Sequence, residues 1–229
     1  ITQHKGSSEC RFDRALGRGL GTHDEQCTFE QYESDNLSAM GVLYGELRAD
    51  TGGPVSIDNF GHRNMLRNVL KDGLALGEQS GTNPFMMGFI GSTDTHNATP
   101  GGTEEDSFIG HLGQRDGGYR NVQDHFFSNP GGHAVVWAEE NSRDSIFEAM
   151  RRKETYATSG TRPIVRFFAG YDYAEGLCQS DTLIAQAYAG GVPMGGDLVT
   201  AAAGQVPQFV VTALKDPGTP GRPGNDLQR

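Results

Sequence analysis

The sequence predicts an α/β fold followed by a β-rich segment, and the α/β part is indicated by a helix pattern that leads into a buried strand. Apolar side chains recur at the spacing of one helix face, at Leu66, Val69, Leu70 and Leu74. Gly77 follows them and is predicted to cap the C-terminus of this helix. Residues 85–90 form a short apolar run without alternation, typical of a strand covered on both faces of a parallel sheet. A helix followed by such a strand is half of an α/β repeat.

A second strand and a second helix are predicted further along the chain. Residues 133–138 form another strand-like apolar run. Asn141 or Ser142 is predicted to cap a helix with an acid near its start and basic residues at its end, the charge order that a helix dipole favours. The predicted core face of this helix consists of Ile146, Phe147 and Met150.

The β-rich segment is expected to begin after a Gly- and Pro-containing break near residue 163. Residues 164–168 and 208–214 are predicted strands, and no helix is predicted between them. We therefore expect two domains, a first over residues 1–163 and the beginning of a second over residues 164–229.

Composition excludes several classes of function. A net charge of −10 over 229 residues disfavours a nucleic-acid partner, since that requires a basic surface. The longest apolar runs fall far short of the roughly 20 residues that span a bilayer, so no membrane span is predicted. Gly supplies 33 residues, about twice ordinary usage, which predicts a chain rich in loops. Residues 1–58 are expected to be one long irregular excursion.

The three cysteines, Cys10, Cys27 and Cys178, lack the Cys-x-x-Cys spacing of a zinc ribbon. We expect buried or free thiols, because unpaired cysteine commonly behaves as a small hydrophobic residue. A disulfide between Cys10 and Cys27 in an oxidising compartment is the alternative.

The most specific chemical signal is Asp94-Thr95-His96, directly after the predicted strand of residues 85–90. Binding sites of α/β folds lie beyond the carboxyl ends of their strands. A carboxylate and an imidazole two residues apart project to the same side of an extended segment, so both can reach one divalent ion. Zinc, manganese and iron accept these ligands. The alternative is structural, since Asp and His are also common in loops.

Four other residues are weaker candidates. His4, with Glu9 nearby, is a further candidate metal ligand, and His111 and Arg162 are candidates for substrate contact. A guanidinium binds a carboxylate or phosphate through two hydrogen bonds. Each histidine considered alone is more often a surface residue. The Gly-rich residues 190–197 are predicted to form a β-turn and not a phosphate loop, because the Gly-Lys-Ser/Thr ending is missing.

Two segments of the chain resemble a known superfamily. Residues 91–96, Gly-Ser-Thr-Asp-Thr-His, resemble the last metal-binding motif of the polymerase and histidinol phosphatase (PHP) superfamily, Gly-Ser-Asp-x-His, with one extra Thr. Residues 134–160 are similar to the segment that closes the barrel in a branch of PHP-like metallohydrolases, including carbaryl-hydrolase-type enzymes. Together with residues 2–9, the chain most resembles the bacterial family called domain of unknown function 3604.

This resemblance implies the C-terminal part of a distorted (β/α) barrel that holds two or three divalent ions and hydrolyses a phosphoester, ester or carbamate in a small molecule. Asp94 and His96 would be ligands and catalytic residues at the last strand, and His4 a ligand from the middle of the barrel. Glu9 would bind an ion or orient an imidazole. Export to the periplasm or beyond the cell is the localisation that the resemblance favours.

One departure from the superfamily is large, because its opening His-x-His motif is absent from this chain. We therefore expect the chain to be the C-terminal part of a longer protein, with the missing N-terminal part as its partner. Two alternatives to the hydrolase stay open. One is a non-catalytic module that binds carbohydrate or calcium, and the other is a degenerate barrel that keeps the fold without the chemistry.

Overall fold

The computed structural model describes residues 2–3, 6–7, 9–10, 12–13, 18–19, 27, 65–99, 110 and 131–227. The chain divides into two compact units. The first unit contains residues 1–86 and 91–133, and the second contains residues 87–90 and 134–229. Each unit is described by itself below.

The N-terminal part of the first unit contains two short hairpins and a disulfide. Strand β1 (Thr2–Gln3) pairs with β2 (Gly6–Ser7), and β3 (Phe12–Asp13) pairs with β4 (Arg18–Gly19), both antiparallel. Cys10 and Cys27, both buried, form a disulfide with their Cα atoms 6.0 Å apart. The expectation of free thiols is therefore wrong for these two residues and the alternative is confirmed, whereas Cys178 is a free, exposed cysteine.

Helix α1 (Leu66–Ser80) confirms the first predicted helix but ends later than expected. Gly81, with a φ of 78°, is the C-terminal cap, and its N–H donates to the Gly77 carbonyl over 2.9 Å. The prediction of Gly77 as the cap is wrong, because the left-handed conformation that favours glycine occurs at Gly81. Asn83 folds back over the helix at Gly73, where a Cβ atom would collide with the Asn83 side chain.

Residues 85–90 are not a strand, so the predicted parallel strand is wrong. Met86, Met87 and Ile90 are exposed. The Phe89 carbonyl accepts a hydrogen bond from the Thr155 hydroxyl over 2.7 Å. A strand needs a neighbour along its length to bind its backbone groups, and apolar composition alone does not supply one.

The second unit begins with the predicted strand and helix. Strand β5 (His133–Val136) pairs with β6 (Thr155–Thr158). Helix α2 (Arg143–Arg151) lies between them in sequence, and the Ser142 side chain caps it by accepting from the Ser145 N–H over 3.3 Å.

The core face predicted for α2 is wrong in part. Phe147 and Met150 are exposed, Ile146 is half-buried, and Ala149 is the buried side chain of the helix. The side chain of this helix that other residues cover completely is therefore a small one.

Helix α2 ends in a Schellman motif around Lys153. The Lys153 N–H donates to the Met150 carbonyl over 3.0 Å, and the Glu154 N–H donates to the Ala149 carbonyl over 3.1 Å. Lys153 has a φ of 60°, at the position where glycine is usual. Close packing fixes it there, because a Cβ atom at Gly88 or Gly195 would collide with Lys153.

A three-stranded antiparallel sheet forms the remainder of the second unit, in the order β8–β7–β9. Its central strand β7 (Ile164–Gly170) pairs with β8 (Gly191–Pro193) and β9 (Gln208–Leu214). The two predicted strands of this region are confirmed. A small hairpin of β10 (Gly218–Thr219) and β11 (Arg222–Pro223) follows.

The prediction of no helix between these strands is wrong. A 3-10 turn (Leu177–Gln179) and helix α3 (Leu183–Gly190) intervene, and they cover one face of the sheet. The core consists of Phe168, Leu177, Ala187 and Val210, with Tyr173, Leu183 and Ile184 packed against it.

The β-turn predicted within residues 190–197 is confirmed. The Gly196 N–H donates to the Pro193 carbonyl over 3.0 Å. Gly195 has a φ of 80°, and a Cβ atom there would collide with the Lys153 carbonyl. Only glycine fits this position without moving the chain.

The described residues therefore combine helices with small antiparallel sheets, in agreement with the α/β class. In this part of the chain the sheets have two or three strands and none closes into a barrel. None of the described helices combines the length and the apolar character needed to cross a membrane. The domain boundary near residue 163 stays a prediction.

Candidate metal site

Asp94 and His96 lie together on a loop of the first unit, just after the chain re-enters that unit at Gly91. His96 Nε2 is 3.8 Å from Asp94 Oδ1, and the two side chains are 57% and 37% exposed. The backbone is not extended throughout, since Asp94 has a φ of 56°. The two side chains nevertheless approach each other while staying accessible to a ligand from solvent.

The neighbouring threonines support this loop from within. Thr93 is buried, and its Oγ1 lies 3.2 Å from Thr95 Oγ1 and accepts from the Thr95 N–H over 3.3 Å. The side chains of Thr93 and Thr95 are thus joined across Asp94. This arrangement fixes the backbone on both sides of the carboxylate.

Asn97 closes the far side of the loop and was missed by the sequence analysis. Its Nδ2 donates to the Gly110 carbonyl over 2.7 Å, and its Oδ1 accepts from the Thr99 N–H over 3.2 Å and from the Thr99 hydroxyl over 2.5 Å. Asparagine is a common turn residue because its side chain bonds to nearby backbone, and this was the one signal in the sequence.

Two glycines pack directly beneath the loop. The Gly132 N–H donates to the Ser92 carbonyl over 3.0 Å. Gly131 is buried with a φ of 84°, and a Cβ atom there would lie 2.7 Å from Thr93 Cα. The backbone next to Asp94 therefore occupies the space that a side chain at Gly131 would fill.

We expect Gly131→Ala to destabilise the protein by about 2–4 kcal/mol, since a left-handed alanine costs about 1–2 kcal/mol and the collision adds to it. Gly204→Ala is the matched control, because Gly204 has a φ of 87° and nothing within 4 Å of the added Cβ. Urea denaturation of both variants measures the difference. Equal losses would show that the loop does not pack on Gly131.

The other predicted site residues have separate environments. Glu9 Oε1 accepts from Arg67 Nε over 2.7 Å and from Arg67 Nη2 over 2.5 Å. The Arg162 side chain is exposed, and its backbone N–H donates to Asp216 Oδ2 over 2.6 Å. The predictions for His4 and His111 lie outside the described residues.

The donor atoms of Asp94 and His96 fit one divalent ion. Zinc binds carboxylate oxygen and imidazole nitrogen at about 2.0–2.2 Å, so two such bonds can bridge the 3.8 Å between Oδ1 and Nε2. Within the described ranges, no group of three or more His, Cys, Asp and Glu side chains is placed to hold a metal ion. Asp94 and His96 would supply two ligands of such a site, which needs more.

A polar cluster around the buried carboxylate of Glu154, in the second unit, was not predicted from the sequence. Glu154 is buried, accepts a hydrogen bond from the Tyr188 hydroxyl, and has Oε2 3.5 Å from Arg152 Nη2. Arg166 donates to the Tyr188 oxygen over 2.7 Å and lies over the Trp137 ring at 3.5 Å. These residues connect the residue before β6 with β7 and α3 through charge-assisted hydrogen bonds.

Burial raises the pKa of Tyr188 above its ordinary value of 10.0. The hydrogen bond and the charge of Glu154 raise this pKa further, and the smaller effect of Arg166 lowers it. The folded state favours the neutral phenol. The contribution of Tyr188 to the free energy of unfolding is therefore complete below pH 10.0 and is lost as the pH rises through its higher pKa in the folded protein. Ultraviolet titration of phenolate formation should show that Tyr188→Phe lacks one phenol that titrates above pH 10.0 in the wild-type protein. If the phenol missing from the variant titrated below pH 10.0, the raised pKa of Tyr188 would be contradicted.

The described residues have a mixed α/β fold, and Asp94 and His96 lie close together on one of its loops. The chain belongs to the family described as "Protein of unknown function (DUF3604)", which matches residues 1–228. The resemblance to domain of unknown function 3604 is thereby confirmed. Comparison with curated proteins and with solved structures gives no match.

Proposed function

We propose that this protein is a metal-dependent hydrolase of the PHP superfamily, whose distorted (β/α) barrel includes the loop of Asp94 and His96. The observation that carries the proposal is the 3.8 Å approach of a carboxylate oxygen and an imidazole nitrogen on an accessible loop. The sequence of that loop resembles the last metal-binding motif of the superfamily.

Each residue has a proposed part in the site. Asp94 and His96 hold a divalent ion, zinc, manganese or iron, and His4 contributes a further ligand. When bound, such an ion supplies an activated water and polarises the bond to be cut. Glu9, whose Oε1 is paired with Arg67, has the proposed part of binding an ion or orienting an imidazole.

The proposed substrates are small molecules with a phosphoester, ester or carbamate bond. Arg162 is a proposed contact for a substrate anion, since its side chain is exposed while the Asp216 carboxylate fixes its backbone. His111 is a second proposed contact. Export belongs to the same proposal.

The test is a substrate screen on the natural full-length protein, loaded in turn with zinc, manganese and iron. Nitrophenyl phosphate, nitrophenyl acetate and a nitrophenyl carbamate represent the three bond types and give the same coloured product. Metal-dependent release from one of them, abolished by a chelator and restored by metal, supports the hydrolase. Metal binding without turnover of any of the three would favour the degenerate barrel, and binding of calcium alone would favour the binding module.

A further inference from the structure

Helix α1 lacks a cap from its own sequence. Met65 is at the N-cap position and makes no side-chain cap hydrogen bond, and the first turn contains no acidic residue. The first N–H groups of a helix have no partner within the helix, so they need one from elsewhere.

Glu9 supplies this cap from 58 residues away in sequence. The Arg67 N–H donates to the Glu9 carbonyl over 3.0 Å, and the Arg67 side chain donates twice to Glu9 Oε1. The carboxylate also lies near the positive end of the helix dipole, where a negative charge is stabilising. Both the backbone and the side chain of Glu9 are thus bound to one residue of α1.

Cys10, the residue after Glu9, is held by a covalent cross-link. Cys10 forms the buried disulfide with Cys27, 17 residues further along the chain. A disulfide restricts the conformations of the chain between its two cysteines and of the residues beside them. The disulfide therefore constrains the backbone next to Glu9 in addition to the contacts that Glu9 makes with Arg67.

We propose that the oxidation state of Cys10 and Cys27 controls the capping of α1 by Glu9. In the oxidised protein the disulfide holds Glu9 on Arg67, and in the reduced protein the cap is released and the first turn of α1 opens more often. Forming the bond removes two protons and two electrons from the two thiols. A protein disulfide of the oxidising compartment accepts both, becoming a dithiol, and a dithiol reductant reverses the reaction.

This device does not depend on the proposed hydrolysis. It applies whether the protein is an enzyme or a binding module, and it concerns the backbone of residues 65–70. A structural disulfide of this kind persists in an oxidising compartment. The protein is therefore expected to reach its capped state outside the reducing cytosol.

The test is amide hydrogen exchange followed by mass spectrometry on the full-length Cys178→Ser protein, oxidised and reduced by dithiothreitol. Cys178→Ser removes the exposed thiol, so alkylation then reports the state of Cys10 and Cys27 directly. Losing a helix N-cap raises the population of the open first turn, and with it the rate of amide exchange there, roughly fivefold. We expect that increase for residues 66–70 on reduction, with the amides of α2 unchanged as an internal control.

A second variant tests the cap without touching the disulfide. Glu9→Gln removes the charge of the side chain but leaves the carbonyl that binds the Arg67 N–H. We expect faster exchange in residues 66–70 of the oxidised variant, by a smaller factor than after reduction. Unchanged exchange there after verified reduction would overturn the proposal, and so would equal loss of protection in α1 and α2.

Discussion

Asp94→Ala is expected to remove bound metal and to lower turnover by at least about a hundredfold. Altering residues that merely support a metal ligand costs about 10- to 100-fold, and losing the ligand itself should cost no less. The measurements are metal content after gel filtration and kcat/KM on whichever substrate the screen identifies. His96→Ala is expected to have the same effect, since its Nε2 faces the same region as Asp94 Oδ1.

The matched control is Asp181→Ala, which removes an exposed carboxylate from a loop of the second unit. We expect wild-type metal content and turnover from it. If Asp94→Ala lost metal but kept full turnover, the metal would be structural and the proposed chemistry would be wrong. If it kept both, Asp94 would be an ordinary loop residue.

Phe168→Ala is expected to destabilise the second unit by about 3–5 kcal/mol, the usual cost of removing a buried aromatic side chain. Phe168 is 1% exposed and packs with Leu177, Ala187 and Val210 between the sheet and α3. Its ring also meets the edge of Tyr188 at a centroid distance of 4.9 Å. Urea denaturation followed by tryptophan fluorescence measures the loss.

Phe209→Ala provides a matched control on the other face of the same sheet. Phe209 is 60% exposed and stacks on Phe167 with ring centroids 5.6 Å apart. Such an aromatic pair contributes about 0.5–1.5 kcal/mol, so the loss should be correspondingly small. Equal losses from both variants would contradict the position of the core.

The elements with strong local signals could be predicted from the sequence. Helix α2 has a serine cap, an early acid and a basic end, and all of these act within the helix itself. Strands β7 and β9 were predictable because their apolar runs pair over their whole length. In each case the local preference and the packing of the chain agree.

The errors occur where distant contacts decide the structure. Residues 85–90 have the composition of a buried strand, yet they do not form one. Helix α3 was missed because it is short and its apolar residues give no clear period, whereas its packing on Phe168 is a property of the folded unit. The end of α1 depended on which of several glycines adopts a positive φ, and that followed from how the chain continues past Gly81.

The candidate site was predictable only at its centre. Asp94 and His96 are two residues apart, so their approach follows from local geometry together with the motif. The packing of Gly131 beneath Thr93 and the hydrogen bond from Asn97 to Gly110 join residues far apart in sequence. No local pattern specifies such pairs.

The measurement that tests the account most directly is the metal content of the natural full-length protein, determined by plasma mass spectrometry after loading at neutral pH and gel filtration. The account predicts two or more equivalents of zinc, manganese or iron in the wild-type protein, and fewer in the Asp94→Ala/His96→Ala variant. No transition metal in the wild-type protein, or the same amount in both proteins, would contradict it.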